Sequence, residues 1–536
     1  MRQHPITRLG TWAIVGIILF VVTNWWPSIA GKDESAVIAE TRPALSKQAA
    51  AAAAEAYIAG LNGGSVQATL VMYESDQLLS GYVQKERLVK PYKAEFEKLV
   101  PIDYYRVELG GGGKTGFLVD VDLKSGEVIG WQKRSDGAAP SVREGRRIAE
   151  SYMRQAGKPL ESYEMLLPNK TQPYQFAFEH RSAKLGEAKL RQVVEIRGGE
   201  VTAYRTELRA PDSHIAWVER QDRAAASMTS WNLIISAAMG LAAIVLMIVH
   251  RKRIAFVRGL WLTFTFLVLY WTNNSNMAPA FKTLSSPGAD PFLSVDAAPG
   301  MVIVMNVVVT LMGLIGYVSL AAGQPLWRDH GMRPWPRWRE PAFGVHTTDS
   351  MKRGYMIACL MLGLQSLLFF VAEQRFDMWA VTDPSGSLYN LYRPELFPLM
   401  AWTAAISEEA IYRFFGIALF KKLLRSTFLA VLVPSMIWAF SHTQYPIYPV
   451  YTRFVEVTAL GVLLGYAFLK YGFATVLFAH AVMDSLLMSF SLMNIGTAAD
   501  IALGLVYIVS PALLAVLLRM LHRRFIARRG VSDFRT

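Results

Sequence analysis

The sequence PLMAWTAAISEEAIYRFFGIALF, residues 398–420, is long and apolar enough for a membrane-spanning helix, yet it carries three charged side chains. A helix of about 20 apolar residues crosses the hydrocarbon core of a bilayer. Glu408, Glu409 and Arg413 lie in the middle of this run, where a charged group costs at least about 2.5 to 3.5 kcal/mol on insertion scales. The segment therefore predicts a membrane helix whose charges are compensated by partners on other helices.

The composition of the whole chain indicates a membrane protein. Of its 536 residues, 52% are hydrophobic and 18% are charged, whereas a soluble domain has about 25% charged residues. This composition excludes a large soluble enzyme. Cys359 is the single cysteine, which excludes an intramolecular disulfide and a cysteine-rich zinc site.

Further apolar runs predict a polytopic α-helical membrane protein with about ten transmembrane helices. Each run is about 20 residues long and carries few charges. The predicted spans cover residues 10–29, 229–249, 255–274, 300–322, 354–373, 398–420, 427–444, 453–470, 473–493 and 501–519.

The net charge of +13 is concentrated beside these spans. Basic clusters occur in every second connection, at residues 251–258, 328–353, 421–425 and 470, and again after residue 519. Because cytoplasmic loops are enriched in Lys and Arg, the pattern predicts cytoplasmic termini and an outside location for residues 31–227, in a bacterial inner or plasma membrane. A nucleic-acid partner is not expected, since the polar segment lacks a basic stripe with interleaved aromatic residues.

The predicted organisation has five parts. An uncleaved N-terminal anchor is preferred over a signal peptide, because the first apolar run is long and ends in Trp25 and Trp26, which suit a membrane interface. The parts are the anchor at residues 1–30, an extracytoplasmic α+β domain at 31–227, the second to fourth spans at 228–350, a C-terminal bundle at 351–522 and a basic cytoplasmic tail at 523–536.

The α+β domain contains an internal repeat. The sequence AEAYIAGLNG at residues 54–63 resembles AESYMRQAGK at 149–158, and each is followed by an alternating hairpin pattern, at 119–131 and 193–204. This predicts two modules, each with a helix and an antiparallel sheet. The pattern resembles tandem PepSY-like modules, which implies regulation or inhibition of a peptidase. A generic sensor or spacer domain is the alternative.

Ionisable residues cluster in the C-terminal spans. Helical spacing of four places Glu409 beside Arg413 and His480 beside Asp484, while Glu408 points about 100° away from Glu409. His442 lacks a partner on its own helix. We therefore expect Glu408 to face His442, with His480 and Asp484 on the opposite wall of an intramembrane site. Trp438 and Phe440 are expected to serve packing.

Three motifs carry a family resemblance. They are Glu408-Glu409-Ala-Ile-Tyr-Arg413, Trp438-Ala-Phe-Ser-His442 and His480-Ala-Val-Met-Asp484. Their order and spacing resemble the CPBP family of intramembrane glutamic endopeptidases, which includes the type II CAAX prenyl protease. The resemblance covers about residues 350–522.

The resemblance implies an activity and roles for the motif residues. Glu408 and His442 would activate water for attack on a peptide carbonyl, His480 and Asp484 would stabilise the oxyanion, and Glu409 with Arg413 would be supporting. Neither a metal nor another cofactor is implied. The implied substrates are membrane proteins, or peptides and lipidated proteins bound at the bilayer.

Asp484 departs from the family pattern, since better-known members have Asn there. An ionised Asp cannot donate a hydrogen bond to an oxyanion. Either Asp484 is protonated or it orients His480 and leaves the donor role to the imidazole, and we favour the second.

Two other classes of function remain open. Glu408, His442 and His480 could instead ligate zinc in a metalloprotease, because two histidines and a carboxylate form a common catalytic set. A non-enzymatic sensor, scaffold or transporter is the third class. The oligomeric state is not predicted.

Overall fold

The computed structural model describes residues 5–29, 40–62, 64, 66–110, 116–170, 172–284, 291–332 and 335–532. A sheet-rich domain lies in the sequence between the first and second long helices, and a helical bundle forms the remainder. The predicted fold class, a polytopic helical membrane protein with an inserted α+β domain, is confirmed.

Within the described residues, eight strands of the α+β domain form one antiparallel sheet in the order β1-β2-β3-β4-β8-β7-β6-β5. In each half of this domain a helix precedes four strands. The predicted hairpins are present as β3–β4 and β7–β8. The two halves join where Trp131 of β4 lies opposite Tyr204 of β8. The bounds are α2 Lys47–Asn62, β1 Ala68–Ser75, α3 Gln77–Lys85, α4 Val89–Pro91, β2 Asp103–Leu109, β3 Phe117–Asp122, β4 Val128–Lys133, α5 Val142–Gln155, β5 Tyr163–Leu166, β6 Gln175–Leu185, β7 Ala188–Arg197 and β8 Glu200–Arg209.

The two faces of the sheet differ in polarity, as expected from period-two alternation along strands. One face packs its buried side chains against α2 and α5. The other face carries paired charges: Arg106 lies 2.8 Å from Asp120 and 3.5 Å from Glu74. A cavity of about 970 Å³ lies between this polar face and loops of the bundle that include Trp379 and Gln444.

Glu74 gives the domain a pH-dependent stability. Burial raises the pKa of the Glu74 carboxyl to about 7, despite the nearby Arg106. The pKa of a Glu in an unfolded chain is about 4.3. Between these values the folded state binds more protons than the unfolded state, so the Glu74 contribution to stability falls as pH rises. We expect Glu74→Gln to raise the free energy of unfolding at pH 8 by on the order of 1 kcal/mol, with the gain disappearing below about pH 4.5.

Thermal unfolding of the purified full chain across pH 4 to 8 measures this effect. Glu97→Gln is the matched control, because the Glu97 carboxyl is one-third exposed and pairs with Lys124 on the surface. An equal gain for Glu74→Gln at pH 4 and pH 8 would contradict the assignment.

Eleven described helices and one π-helical stretch form most of the chain outside the α+β domain. α6 contains 38 residues and is about 57 Å long at 1.5 Å per residue, so the predicted domain boundary at residue 227 falls inside a continuous helix. The bounds are α1 Pro5–Ile29, α6 Asp212–Val249, α7 Leu260–Asn276, α8 Pro291–Asp329, α9 Phe343–Phe376, α10 Met400–Glu408, the π-helical stretch Glu409–Gly416, α11 Ile417–Leu424, α12 Thr427–Phe440, α13 Val450–Tyr471, α14 Phe473–Ile495 and α15 Ala498–Ser532.

The structure divides the predicted spans into long helices and shorter or interrupted ones. Among the described residues, seven helices are long and apolar enough to cross a membrane. The predicted spans 255–274, 398–420 and 427–444 correspond to a helix of 17 residues, a helix interrupted by the π-helical stretch, and a helix of 14 residues. Hydrophobic run length alone did not reveal these features, because it does not report where a helix ends or where its hydrogen-bond pattern changes.

The connection between α9 and α10 attaches the bundle to the α+β domain. The Asn390 side chain is fully buried, accepts from the Tyr73 backbone N–H at 2.7 Å and donates to the Tyr73 carbonyl at 2.7 Å. A two-stranded sheet formed by β9 (Trp379–Ala380) and β10 (Ile447–Tyr448) ties this connection to the loop after α12. The α+β domain therefore contacts the segment that leads into α10, and this segment pairs with the loop after α12.

Candidate active site

The two adjacent glutamates lie where the helix type changes. Glu408 ends α10, and Glu409 begins the π-helical stretch. π-Helical turns occur frequently at functional sites. Both carboxyls reach the same residue, His480 of α14, from this position.

Glu409 and Arg413 form the predicted pair. The Arg413 Nη1 lies 3.0 Å from the Glu409 Oε1, and the two side chains are 2% and 0% exposed. The guanidinium carbon of Arg413 also lies 4.0 Å from the centroid of the Trp438 ring. This arrangement compensates the buried charges by an ion pair and a cation–π contact.

His480 joins all three carboxylates of the cluster. Its Nδ1 lies 2.8 Å from the Glu409 Oε1, and its Nε2 lies 3.4 Å from the Asp484 Oδ2 and 3.7 Å from the Glu408 Oε2. The carboxylate of Glu409, paired with Arg413, accepts from Nδ1 and so orients the ring. Glu409 thus makes a shorter contact with His480 than Asp484, which we expected to orient it.

The atoms around the His480 Nε2 must share at least one proton. Lone pairs on Nε2 and on two ionised carboxylates would repel one another. A proton on Nε2, or on one of the two carboxyls, removes this repulsion. The side chains of Glu408 and Asp484 are 15% and 21% exposed, so they form the accessible edge of the cluster.

His442 lies in the turn after α12, because the helix ends at Phe440. We expected it within a longer helix. Its Nδ1 lies 3.1 Å from the Trp438 carbonyl oxygen, and a carbonyl can only accept, so this contact places the proton on Nδ1 and leaves Nε2 as the acceptor. Its ring also stacks on Tyr445 with centroids 6.1 Å apart.

Trp438 connects the two residues that we expected to face each other. Among the described residues no hydrogen bond or ion pair joins Glu408 directly to His442. Instead the Trp438 Nε1 donates to the Glu408 Oε2 at 2.5 Å, and the Trp438 ring packs edge-on against His442 with centroids 5.0 Å apart. The interpretation of Trp438 as simple packing is therefore incomplete.

Two supporting groups escaped the sequence analysis. Asn232 of α6 donates to the Tyr412 hydroxyl at 2.9 Å and to the Ile437 carbonyl at 2.6 Å, and so ties α6 to both motif-bearing helices. An Asn within an apolar span was the available signal.

Glu456 is 1% exposed and accepts from Arg453 at 2.6 Å, and Arg453 lies over the Tyr445 ring.

The described residues contain no group of three His, Cys, Asp or Glu side chains placed to hold one metal ion. Glu408 and His480 are in contact, but His442 reaches them through Trp438. The cluster nevertheless provides carboxylate bases, an oriented imidazole and a second imidazole with a free acceptor nitrogen. These are the groups that general acid–base hydrolysis requires.

Comparison with known proteins supports the resemblance inferred from the motifs. Residues 393–486 match the family described as type II CAAX prenyl endopeptidase Rce1-like. A curated relative, the sporulation-killing factor biosynthesis protein SkfC of Bacillus subtilis strain 168, is 23% identical over 305 residues. That alignment covers 56% of this chain and 59% of SkfC.

No solved structure matches the chain. The resemblance of the C-terminal bundle to the CPBP family is confirmed by the family match, and this family suggests a peptidase. The match includes Glu408, His442, His480 and Asp484. The likeness of the α+β domain to PepSY-like modules stays a prediction.

Proposed function

We propose that the C-terminal bundle, which matches the Rce1-like endopeptidases over residues 393–486, is a glutamic intramembrane endopeptidase. Its substrates would be membrane proteins, or lipidated proteins and peptides bound at the bilayer. The observation that carries the proposal is the convergence of Glu408, His480 and Asp484, from two separate helices, on one accessible edge.

Hydrolysis can be written with these residues alone. The Glu408 carboxylate accepts a proton from a water molecule while the water oxygen bonds to the carbonyl carbon of the peptide. His442 accepts a second hydrogen bond from the same water through Nε2. The carbonyl oxygen becomes an oxyanion, which a proton on the His480 Nε2 stabilises. The carbon–nitrogen bond then breaks, and the proton held by Glu408 passes to the leaving amine.

Glu409, Arg413 and Asp484 support this reaction. Glu409 orients His480 through Nδ1, and Arg413 compensates the charge of Glu409. Asp484 lies 3.4 Å from the His480 Nε2, beside the proposed oxyanion donor.

The orientation proposed for the protein follows from its charge distribution. Both termini would lie in the cytoplasm of a bacterial cell, with the α+β domain outside the inner or plasma membrane. The domain contacts the segment before α10, which pairs with the loop after α12, and this connection supports a role in regulating access to the site or in recruiting substrate.

A chelator experiment tests the proposal against the zinc alternative. The full chain, purified in detergent, is incubated with a library of membrane peptides with and without a strong chelator. We expect cleavage that the chelator does not change. Loss of cleavage on chelation with recovery on added zinc would establish a metalloprotease instead, and absence of any cleavage would favour a sensor, scaffold or transporter.

A further inference from the structure

Trp438 contacts ionisable groups from four separate segments of the bundle. Its indole N–H donates to Glu408, and its ring lies beneath the guanidinium of Arg413 and against the rings of His442 and His480. The residue is 4% exposed. A side chain needed only to fill space would not require a hydrogen-bond donor directed at a carboxylate.

The indole donor makes the two oxygens of Glu408 different. Oε2 accepts from the Trp438 Nε1 and lies 3.7 Å from the His480 Nε2. In the part of the chain that the structure describes, no side chain or backbone group hydrogen-bonds Oε1. Since an indole N–H can only donate, Trp438 fixes Oε2 and leaves Oε1 as the oxygen able to accept a proton from water.

The backbone of the same residue acts on the second base. The Trp438 carbonyl accepts from the His442 Nδ1 at 3.1 Å and from the Ser441 hydroxyl at 2.7 Å. This carbonyl lies at the end of α12, where it also accepts from the Ser441 backbone N–H at 3.1 Å. It therefore fixes the ring orientation of His442 and leaves its Nε2 as the acceptor.

The face of the indole has a separate task. The Arg413 guanidinium lies over it at 4.0 Å, and Trp provides the strongest cation–π surface among the aromatic residues. Arg413 in turn holds Glu409, which orients His480. Through this series of contacts Trp438 also influences His480, the proposed oxyanion donor.

From these contacts we infer that Trp438 is a positioning residue that places the Glu408 Oε1 and the His442 Nε2 toward one shared water molecule. The inference rests on the proposed function and adds a residue that acts on both bases at once. The essential element is the single hydrogen bond from the indole to Glu408, because a phenyl ring at residue 438 would preserve the ring contacts but not this bond.

The variant Trp438→Phe removes the hydrogen bond while keeping an aromatic ring at this position. The loss of a hydrogen bond to a charged group predicts a fall in kcat of about 10- to 100-fold. We expect KM to stay unchanged, because the substrate contacts are retained. Removing a bond to the ionised carboxylate also moves the acid limb of the pH–rate profile toward higher pH. The charged groups around Glu408 are His480, Asp484, Arg413 and Glu409, and the other titratable groups that face it are Tyr270, Tyr412 and Tyr445. The substitution leaves all of them in place.

Trp402→Phe is the matched control. Trp402 lies on α10, six residues before Glu408, and packs edge-on against Phe478. We expect this variant to keep the wild-type kcat and pH profile. A wild-type kcat and acid limb for Trp438→Phe would overturn the inference while leaving the proposed protease function intact.

A second measurement does not depend on turnover. Trp438→Phe and Glu408→Ala are combined in a double-mutant cycle on the unfolding midpoint of the full chain. We expect the double variant to lose less stability than the sum of the single variants, because both single changes break the same hydrogen bond. Additive shifts of the unfolding midpoint would overturn the inference. A substrate library that the wild-type protein leaves uncleaved would refute only the proposed protease function.

Discussion

Glu408→Gln lowers kcat by about 10²- to 10⁴-fold, the range for loss of a general base, while the protein keeps its fold. The amide has nearly the same shape as the carboxylate, and its carbonyl oxygen can still accept the indole N–H of Trp438. It cannot take a proton from water at neutral pH. The initial rate of cleavage of a peptide selected from the membrane-peptide library measures the effect.

Glu373→Gln provides the control for this experiment. Glu373 is a partly buried carboxyl on α9, outside the cluster around His480. We expect its variant to cleave at the wild-type rate. Retained activity of Glu408→Gln, with an unchanged unfolding midpoint, would refute Glu408 as the general base.

Arg413→Met should have the largest effect on stability. The substitution leaves the fully buried Glu409 carboxylate without the guanidinium that pairs with it, and breaking a buried ion pair in this way costs about 3 to 5 kcal/mol. The substitution also removes the cation above the Trp438 ring. Thermal or denaturant unfolding in detergent should show a large loss, together with loss of activity because Glu409 no longer holds His480 in place.

Lys133→Met tests whether the loss of stability in Arg413→Met comes from the burial of its ion pair. Lys133 pairs with Glu200 at 3.3 Å on the surface of the α+β domain, where the Glu200 side chain is 72% exposed. Exposed pairs contribute about 0 to 1 kcal/mol, so this variant should unfold close to the wild type. Equal losses for the two variants would contradict the assigned role of the buried pair.

The sequence predicted side-chain contacts well where spacing along one helix determines geometry. Glu409 with Arg413 and His480 with Asp484 are each four residues apart, and both pairs are in contact. The cost of placing charges in an apolar span was enough to identify the cluster before any contact was known.

The same reasoning could not locate contacts that depend on how helices end and cross. His442 lies beyond α12, and its relation to Glu408 passes through Trp438. The sequence motif gives the four-residue spacing of Trp438 and His442 but not the helix end between them. The direction of the indole N–H depends on the packing of α12 against α10, which periodicity does not report.

A similar limit applies to the α+β domain. The repeated helix signature and the two hairpins were visible in the sequence, because turns and alternation are local properties. The pairing of β4 with β8 joins two halves of the domain that are far apart in sequence, and it was not visible in the sequence. Nor could local patterns show that Asn390 would pair with the edge strand β1 and connect this domain to the bundle.

The most direct test compares peptide termini in the membrane proteome of cells that carry the wild-type protein, Glu408→Gln or Glu373→Gln at equal abundance. We predict a set of new carboxyl and amino termini from membrane-associated proteins that is shared by the wild type and Glu373→Gln and missing with Glu408→Gln. The same termini at the same abundance in all three strains would contradict amide hydrolysis by this cluster.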